Sequence, residues 1–243
     1  MLLEPFYNPR KTYRESKKNE LISDIVKYAI MTNIQREIAQ ILLKIHAVGF
    51  ALDDLIMFKS GIKSPVYVDN RKLPFYPKEW QKVISGFEAI TKEKNLQFDI
   101  IAGIESAGIP HSAALGFLMK KPSVFVRKKV KEHGTKKLVE GGDVNGKQVL
   151  LIEDLVTTGS SSLAGVEALR EGGAKVINCL VITSYEFPEA KKAFAEAGVE
   201  LHALTSFPII LKEAISLGLI KEKEEQAIKD FLADPHHWNH EYH

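Results

Sequence analysis

The sequence predicts an α/β fold, a central parallel sheet flanked by helices. Five short runs are apolar without the polar alternation of a strand that has one wet face. Segments of helical period separate most of these runs, the arrangement that covers a parallel sheet on both sides. A chain of 243 residues, 45% hydrophobic and 26% charged, carries enough apolar material for such a core.

Residues 1–19 are polar and basic, with Arg10, Lys11, Arg14, Lys17 and Lys18, and read as a loose arm. A helical period begins near Leu21, is clear through Ile34, Ile38, Leu42, Leu43 and Ile45, and stops at Gly49. A short strand, Val66–Val68, sits among Gly61, Pro65 and Pro74. A helix over about 78–94 precedes the regular part of the chain. Strands are expected at Phe98–Gly103, Ser123–Arg127, Val149–Asp154, Ala174–Thr183 and Val199–Leu204. Helices are expected at roughly 108–119, 160–171 and 188–197, and two more near the C-terminus. Segments 59–77 and 127–147, rich in charge, Gly and Pro, are loops suited to function rather than packing.

Composition narrows the function. Lys+Arg 33 against Asp+Glu 31 leaves a net charge of +2, which argues against a grossly basic nucleic-acid binder. The single cysteine, Cys179, excludes an internal disulfide and a multi-cysteine metal site, and its apolar neighbours place it in a buried strand. The start of the chain has neither a secretory signal nor an anchor, and no window approaches the ~20 apolar residues of a membrane helix. A cytoplasmic protein without membrane or nucleic-acid partners is expected.

The most informative stretch is Val149–Ser162. Four apolar residues form a central strand, and two carboxylates, Glu153 and Asp154, fall at its carboxyl end, where open parallel sheets bind ligands. A short Thr/Ser/Gly loop then opens a helix, so unpaired backbone N–H groups and hydroxyls converge into an anion cradle suited to phosphate. A phosphate beside two acids suggests a sugar phosphate. The plainer reading is an acidic strand end before an ordinary Ser-capped helix.

This stretch resembles the phosphoribosyl-pyrophosphate (PRPP) motif of type I phosphoribosyltransferases, with Glu153 where the first Asp is commoner. Phe58–Arg71 looks like the amino-terminal signature of orotate phosphoribosyltransferases. Arg127–Gly134 looks like their mobile catalytic loop, Arg-Lys-x-x-Lys-x-His-Gly, and Gly103–Pro110 like a pyrophosphate loop. The resemblance runs from about residue 32 to 220. It implies a type I phosphoribosyltransferase fold with a small N-terminal hood: arm 1–19, N-terminal helix and hood 20–76, core 77–220, and C-terminal helix and tail 221–243.

The implied reaction joins orotate to PRPP, giving orotidine 5′-monophosphate and pyrophosphate in pyrimidine (UMP) synthesis. By resemblance, Glu153 and Asp154 hold the ribose hydroxyls, Thr157, Thr158, Gly159, Ser160 and Ser161 cradle the 5-phosphate, and Leu155 and Val156 belong to the same PRPP-binding stretch. Lys59, Ser106, Ala107, Arg127, Lys128, Lys131 and His133 also meet PRPP. Lys131 is the strongest catalytic candidate, joined by Glu153 and Asp154. Tyr67, Val68, Arg71 and Thr157 are placed at orotate. Charge leaves with pyrophosphate, so cations and Mg²⁺ are called for, the metal held mainly by substrate rather than by protein ligands. Lid residues of this family act on the neighbouring subunit, which implies a homodimer.

The departures matter. Ala107 stands where many relatives have Lys, and no Arg follows the 174–183 strand to grip the orotate carboxylate, which leaves Arg71 or Lys59 as its cation. Glu105 is an acid near the pyrophosphate loop with no evident role. The rivals are a phosphoribosyltransferase for another nucleobase and a non-catalytic PRPP-sensing regulator; the intact basic loop speaks against the regulator. Gly141–Lys147 imitates a P-loop but lacks the Ser/Thr and leads into a strand, so it reads as a turn. The histidines of 236–243 read as incidental surface residues.

Overall fold

The computed structural model describes residues 31–52, 54–58, 60–128 and 138–238. Strand β8 (Gln148–Val156) lies inside a six-stranded sheet, with β5 (Ile100–Ile104) on one side and β9 (Lys175–Ser184) on the other. That is why Val149–Ile152 is apolar throughout, for each face of the strand meets a covered layer. The order is β10-β9-β8-β5-β6-β7, with β6 at Ser123–Val126, β7 at Val139–Glu140 and β10 at Glu200–Ser206. The ladders from β10 to β6 are all parallel, whereas β7 pairs antiparallel with β6. The edge strand β7 falls within a segment the sequence reads as loop. Two residues are too few to display a period, and only the pairing of Val126 with Val139 reveals it.

Helix α1 (31–44) and α2 (Pro77–Glu93) precede the sheet. Then come α3 (Gly108–Met119), α4 (Ser160–Glu171), α5 (Pro188–Glu196), α6 (Phe207–Ser216) and α7 (Glu222–Ala233). Proline opens α2 and α5, where its missing N–H costs no helical bond. Along the central strands the side chains alternate between two cores. Ile101, Leu150, Ile152, Leu180 and Ile182 face α1, α2, α3, α6 and α7, meeting Leu42, Phe87, Leu115, Phe207 and Phe231. Ala102, Leu151, Cys179 and Val181 face α4 and α5, meeting Val166, Leu169 and Phe194.

Between α1 and α2 the chain forms short antiparallel pairs, β1 (Val48–Phe50) with β4 (Val66–Val68) and β2 (Ile56–Met57) with β3 (Lys63–Ser64). Gly49 lies opposite Tyr67, and a Cβ there would fall 1.9 Å from the Tyr67 ring, so the ring lies across bare backbone. A 3-10 helix, Asn70–Phe75, then leads to α2.

At the far end, α7 is held by rings: Phe231 packs edge-on to Phe187 at 6.1 Å and to Trp238 at 5.6 Å. His236 pairs with Glu189 and His237 with Asp234, which gives both described tail histidines a carboxylate partner. Gly141–Lys147 is a turn that delivers the chain to β8, as its sequence predicts. Cys179 is buried. Among the described residues no helix is long and apolar enough to cross a membrane.

Because Phe231 is fully buried between two aromatic partners, Phe231→Ala should cost about 3–5 kcal/mol of unfolding free energy. Urea titration measures this, and a loss below about 1 kcal/mol would show that α7 is not part of the cooperative core.

Candidate active site

The connections set the position of the site. From β5 the chain crosses through α3 to β6 on one side, whereas from β8 it crosses through α4 to β9 on the other. The two crossovers diverge between β5 and β8, and such a point leaves a crevice outside the carboxyl ends of the strands. A cavity of about 550 Å³ lies there. It is lined by the loop after β5 (Ser106, Ala107), the end of β8 and the turn after it (Glu153–Ser162), Lys128, and a hood edge of Phe58, Ser60, Val68, Asp69 and Arg71.

Close packing brings the first loop to the second. A Cβ on Gly108 would lie 2.6 Å from the Ile152 carbonyl oxygen, and one on Gly103 would lie 2.3 Å from Ser112 Oγ. Only glycine lets the first turn of α3 rest on β5 and β8 at once, which sets Ser106 and Ala107 beside the acid pair. The Glu105–Ser106 peptide is cis. Glu105, which the sequence leaves without a role, holds two segments together. Its carboxylate accepts the Lys128 N–H at 2.9 Å, while its own N–H donates to Val126 O at 2.8 Å. It thereby ties the start of the 128–137 segment to the pyrophosphate-type loop.

Glu153 is 5% exposed and Asp154 is half-buried. Burial pushes the Glu153 carboxyl well above the usual carboxylate range, and the neighbouring Asp154 adds to the rise, while Lys128 pulls the other way. The Asp154 N–H donates to Glu153 Oε1 at 3.1 Å. The Asp154 carbonyl oxygen accepts from Asn70 Nδ2 at 2.7 Å, a bond from the hood across 84 positions of sequence.

Past Val156 the chain turns through Thr157 and Thr158 to Gly159, whose φ of +86° is the left-handed conformation that glycine adopts without strain. Gly159 caps α4 with no side-chain hydrogen bond, so the first N–H groups of the helix are not claimed by a cap. Thr158 and Ser160 hydroxyls lie 3.3 Å apart beside them, and Ser160 and Ser161 are exposed to the cavity. Unclaimed amides with hydroxyls at the positive end of a helix dipole suit a phosphate.

The structure therefore gathers Ser106, Ala107, Lys128, Glu153, Asp154, Leu155, Val156, Thr157, Thr158, Gly159, Ser160, Ser161, Val68 and Arg71 around one space. Two residues assigned by resemblance stand apart from this lining. Tyr67 lies over Gly49, turned from the cavity by the alternation that turns Val68 toward it. Arg127 pairs with Glu140 at 3.0 Å, and its N–H donates to Leu138 O at 2.8 Å, so it fastens the base of the 128–137 segment. Lys59, Lys131 and His133 lie outside the described residues.

Arg71 is bound to Asp69 at 2.6 Å, and its guanidinium is held further above its usual value by that carboxylate and, to a smaller degree, by Asp154. Sequence reasoning passed over Phe58, Ser60, Asp69, Asn70 and Ser162. Only the Asp-Asn-Arg triplet hinted at the hood members, because polar residues directly after a short strand signal a turn or a site equally well.

An acid whose folded pKa is raised destabilises the fold once pH exceeds its unfolded value of about 4.5, increasingly until the folded value is passed. Glu153→Gln should therefore melt at a higher temperature than the parent at pH 7.5, with the gap closing as pH falls toward 4.5, while activity falls by about 10²-fold. Calorimetric melts across that range check the sign; equal melting temperatures at all pH values would show that Glu153 carries no such strain.

The phosphoribosyl transferase domain family matches residues 77–195. An orotate phosphoribosyltransferase of Coxiella burnetii is 40% identical over 206 residues, 85% of this chain and 99% of its own length. One from Listeria monocytogenes serotype 4b is 35% identical over the same shares. Among solved structures, the UMP synthase of Leishmania donovani superposes with a TM-score of 0.72 at 28% identity over 82% of this chain, which spans 42% of that protein. The orotate phosphoribosyltransferase of Aeropyrum pernix superposes with a TM-score of 0.66 at 28% identity, covering 75% of this chain and 99% of its own. The domain match takes in both strand-end loops that frame the cavity, and by this match and its relatives the chain belongs to the orotate phosphoribosyltransferase family.

Proposed function

We propose that the chain transfers the phosphoribosyl group of PRPP to orotate, yielding orotidine 5′-monophosphate and pyrophosphate in the cytoplasm as a step of pyrimidine synthesis. The observation that carries this reading is the convergence of the acid pair, the hydroxyl-bearing turn and the 106–107 loop on one cavity. The 5-phosphate sits on the amides that open α4 and on the hydroxyls of Thr157, Thr158, Ser160 and Ser161. Ribose hydroxyls meet Glu153 and Asp154, and the Asp154 carboxylate also faces the positive charge that develops on the ribose carbon. Pyrophosphate leaves toward Ser106, Ala107 and Lys128, which follow β5 and β6 rather than β8.

Mg²⁺ fits this arrangement as an ion carried in on pyrophosphate and ribose oxygens, near the two carboxylates, where it would neutralise charge on the departing group. Orotate lies against Val68 and Phe58, with Arg71 supplying the cation for its carboxylate in place of the Arg missing after β9. Arg71→Ala should raise the KM for orotate about 10-fold or more and leave that for PRPP within about two-fold. Steady-state kinetics decide it: an unchanged orotate KM would remove Arg71 from the base.

The basic 127–137 segment supplies further cations, Lys131 foremost and His133 after it, and Lys59 of the hood adds another, all three by resemblance. The reading includes a homodimer in which that segment serves the partner's site, and the exposed Phe75 (82%) and Phe117 (90%) are apolar side chains that a second copy could cover. Lys131→Ala should lower kcat by about 10²–10³-fold with the circular dichroism spectrum unchanged, and wild-type turnover would exclude the segment from the reaction.

The reading as a whole is tested by a spectrophotometric assay with PRPP, Mg²⁺ and a panel of bases. Orotate consumption is expected. Use of a different base alone, which the missing Arg after β9 would favour, or PRPP binding without turnover, would overturn it.

A further inference from the structure

Asp154 lies beyond the reach of β5. That ladder ends with Gly103 opposite Ile152, and the next strand residues of β8 have no strand partner on that side. A carbonyl left there in a half-buried crevice needs a donor from elsewhere. Asn70 provides it, with Nδ2 2.7 Å from Asp154 O and 3.5 Å from Thr183 Oγ1 on the far strand.

Asn70 is fully buried, yet its Oδ1 finds no hydrogen-bond partner among the described residues. A buried amide with one half unsatisfied is a poor choice for stability alone. What it secures is geometry. Its neighbours Val68, Asp69 and Arg71 line the cavity from the hood, and Asp154 lines it from the sheet, so the Asn70 side chain joins the two walls at the Asp154 backbone.

We propose that Asn70 is a positioning residue for this reaction: by holding the Asp154 carbonyl it sets the Asp154 carboxylate, beside Glu153, where the ribose hydroxyls of PRPP meet it. The inference rests on the proposed PRPP reaction and deepens it, by adding a hood residue that acts through the acid pair rather than on substrate.

The experiment compares three variants of the full chain. Asn70→Leu keeps volume and neutrality and removes the donor. Asn70→Ser keeps a donor on a shorter arm. Thr183→Val deletes only the longer contact. Calorimetry gives the affinity for PRPP with Mg²⁺, kinetics give KM for each substrate, and thermal melts report folding. Asn70→Leu should weaken PRPP binding at least about 10-fold with the orotate KM within about two-fold, Asn70→Ser should recover part of the loss, and Thr183→Val should stay within about two-fold of the parent.

Parental PRPP affinity in a folded Asn70→Leu protein, equal damage to both substrates, or no recovery in Asn70→Ser would overturn the proposal. If Asn70→Leu does not fold, Asn70→Ser decides alone: a lowered melting temperature with parental PRPP affinity and kinetics marks a merely structural residue. A parent that binds PRPP but does not consume orotate would refute the proposed reaction, while the PRPP affinities would still judge Asn70.

Discussion

The first turn of α3 can lie against β8 only because two residues carry no side chain. Gly108 rests on the Ile152 carbonyl, where a Cβ would come within 2.6 Å, and Gly103 leaves room for Gly108 O and Ser112 Oγ from below. Backbone stands on backbone at this point, and neither partner can retreat without parting the sheet. The loop that precedes α3 is therefore carried to the end of β8, and the crevice between diverging crossovers becomes a space with polar groups on both walls. Behind the same turn, His111 Nδ1 accepts the Trp80 indole N–H at 2.9 Å, and burial lowers its pKa to about 4, so it stays uncharged near a helix end that disfavours a cation.

Electrostatic tension is concentrated on one residue of the acid pair. Glu153 is almost fully buried at the cavity wall, whereas Asp154 is half-buried there and fastened to the hood through its carbonyl. A site of this kind gives up stability in its empty state so that acceptors are in place when hydroxyl donors arrive. The hood is not a separate cover in this respect. It reaches the sheet through Asn70 and packs its apolar residues, among them Val66, Val68 and Leu73, into the core shared with Leu150 and Ile152.

Much of this was legible in the residues. The five parallel strands were predicted within a few positions because burial on both faces removes polar alternation, and the acid pair with its turn could be read because strand, acids, hydroxyls and helix follow without a gap. What escaped is non-local. The two-residue strand β7 exists only by pairing with β6, and nothing local tells that Arg127 pairs with Glu140 across 13 positions of sequence. Tyr67 and Val68 are equal candidates in sequence, and only the register that sets Gly49 under Tyr67 shows which of them faces the cavity. Asn70 had only the ambiguous signal of the Asp-Asn-Arg triplet, since its partner lies on a strand more than eighty residues away.

The chain's one thiol has a consequence of its own. Cys179 stands on β9 opposite Leu151, sealed between the sheet and the α4–α5 layer, and burial together with nearby Glu153 raises its pKa. A maleimide or disulfide reagent meets a reactive thiolate there only when the two central strands separate from their cover. The rate of alkylation thus clocks excursions of the innermost sheet without any engineered label, and a ligand seated over the acids would slow that clock in proportion to how tightly it clamps the strand ends.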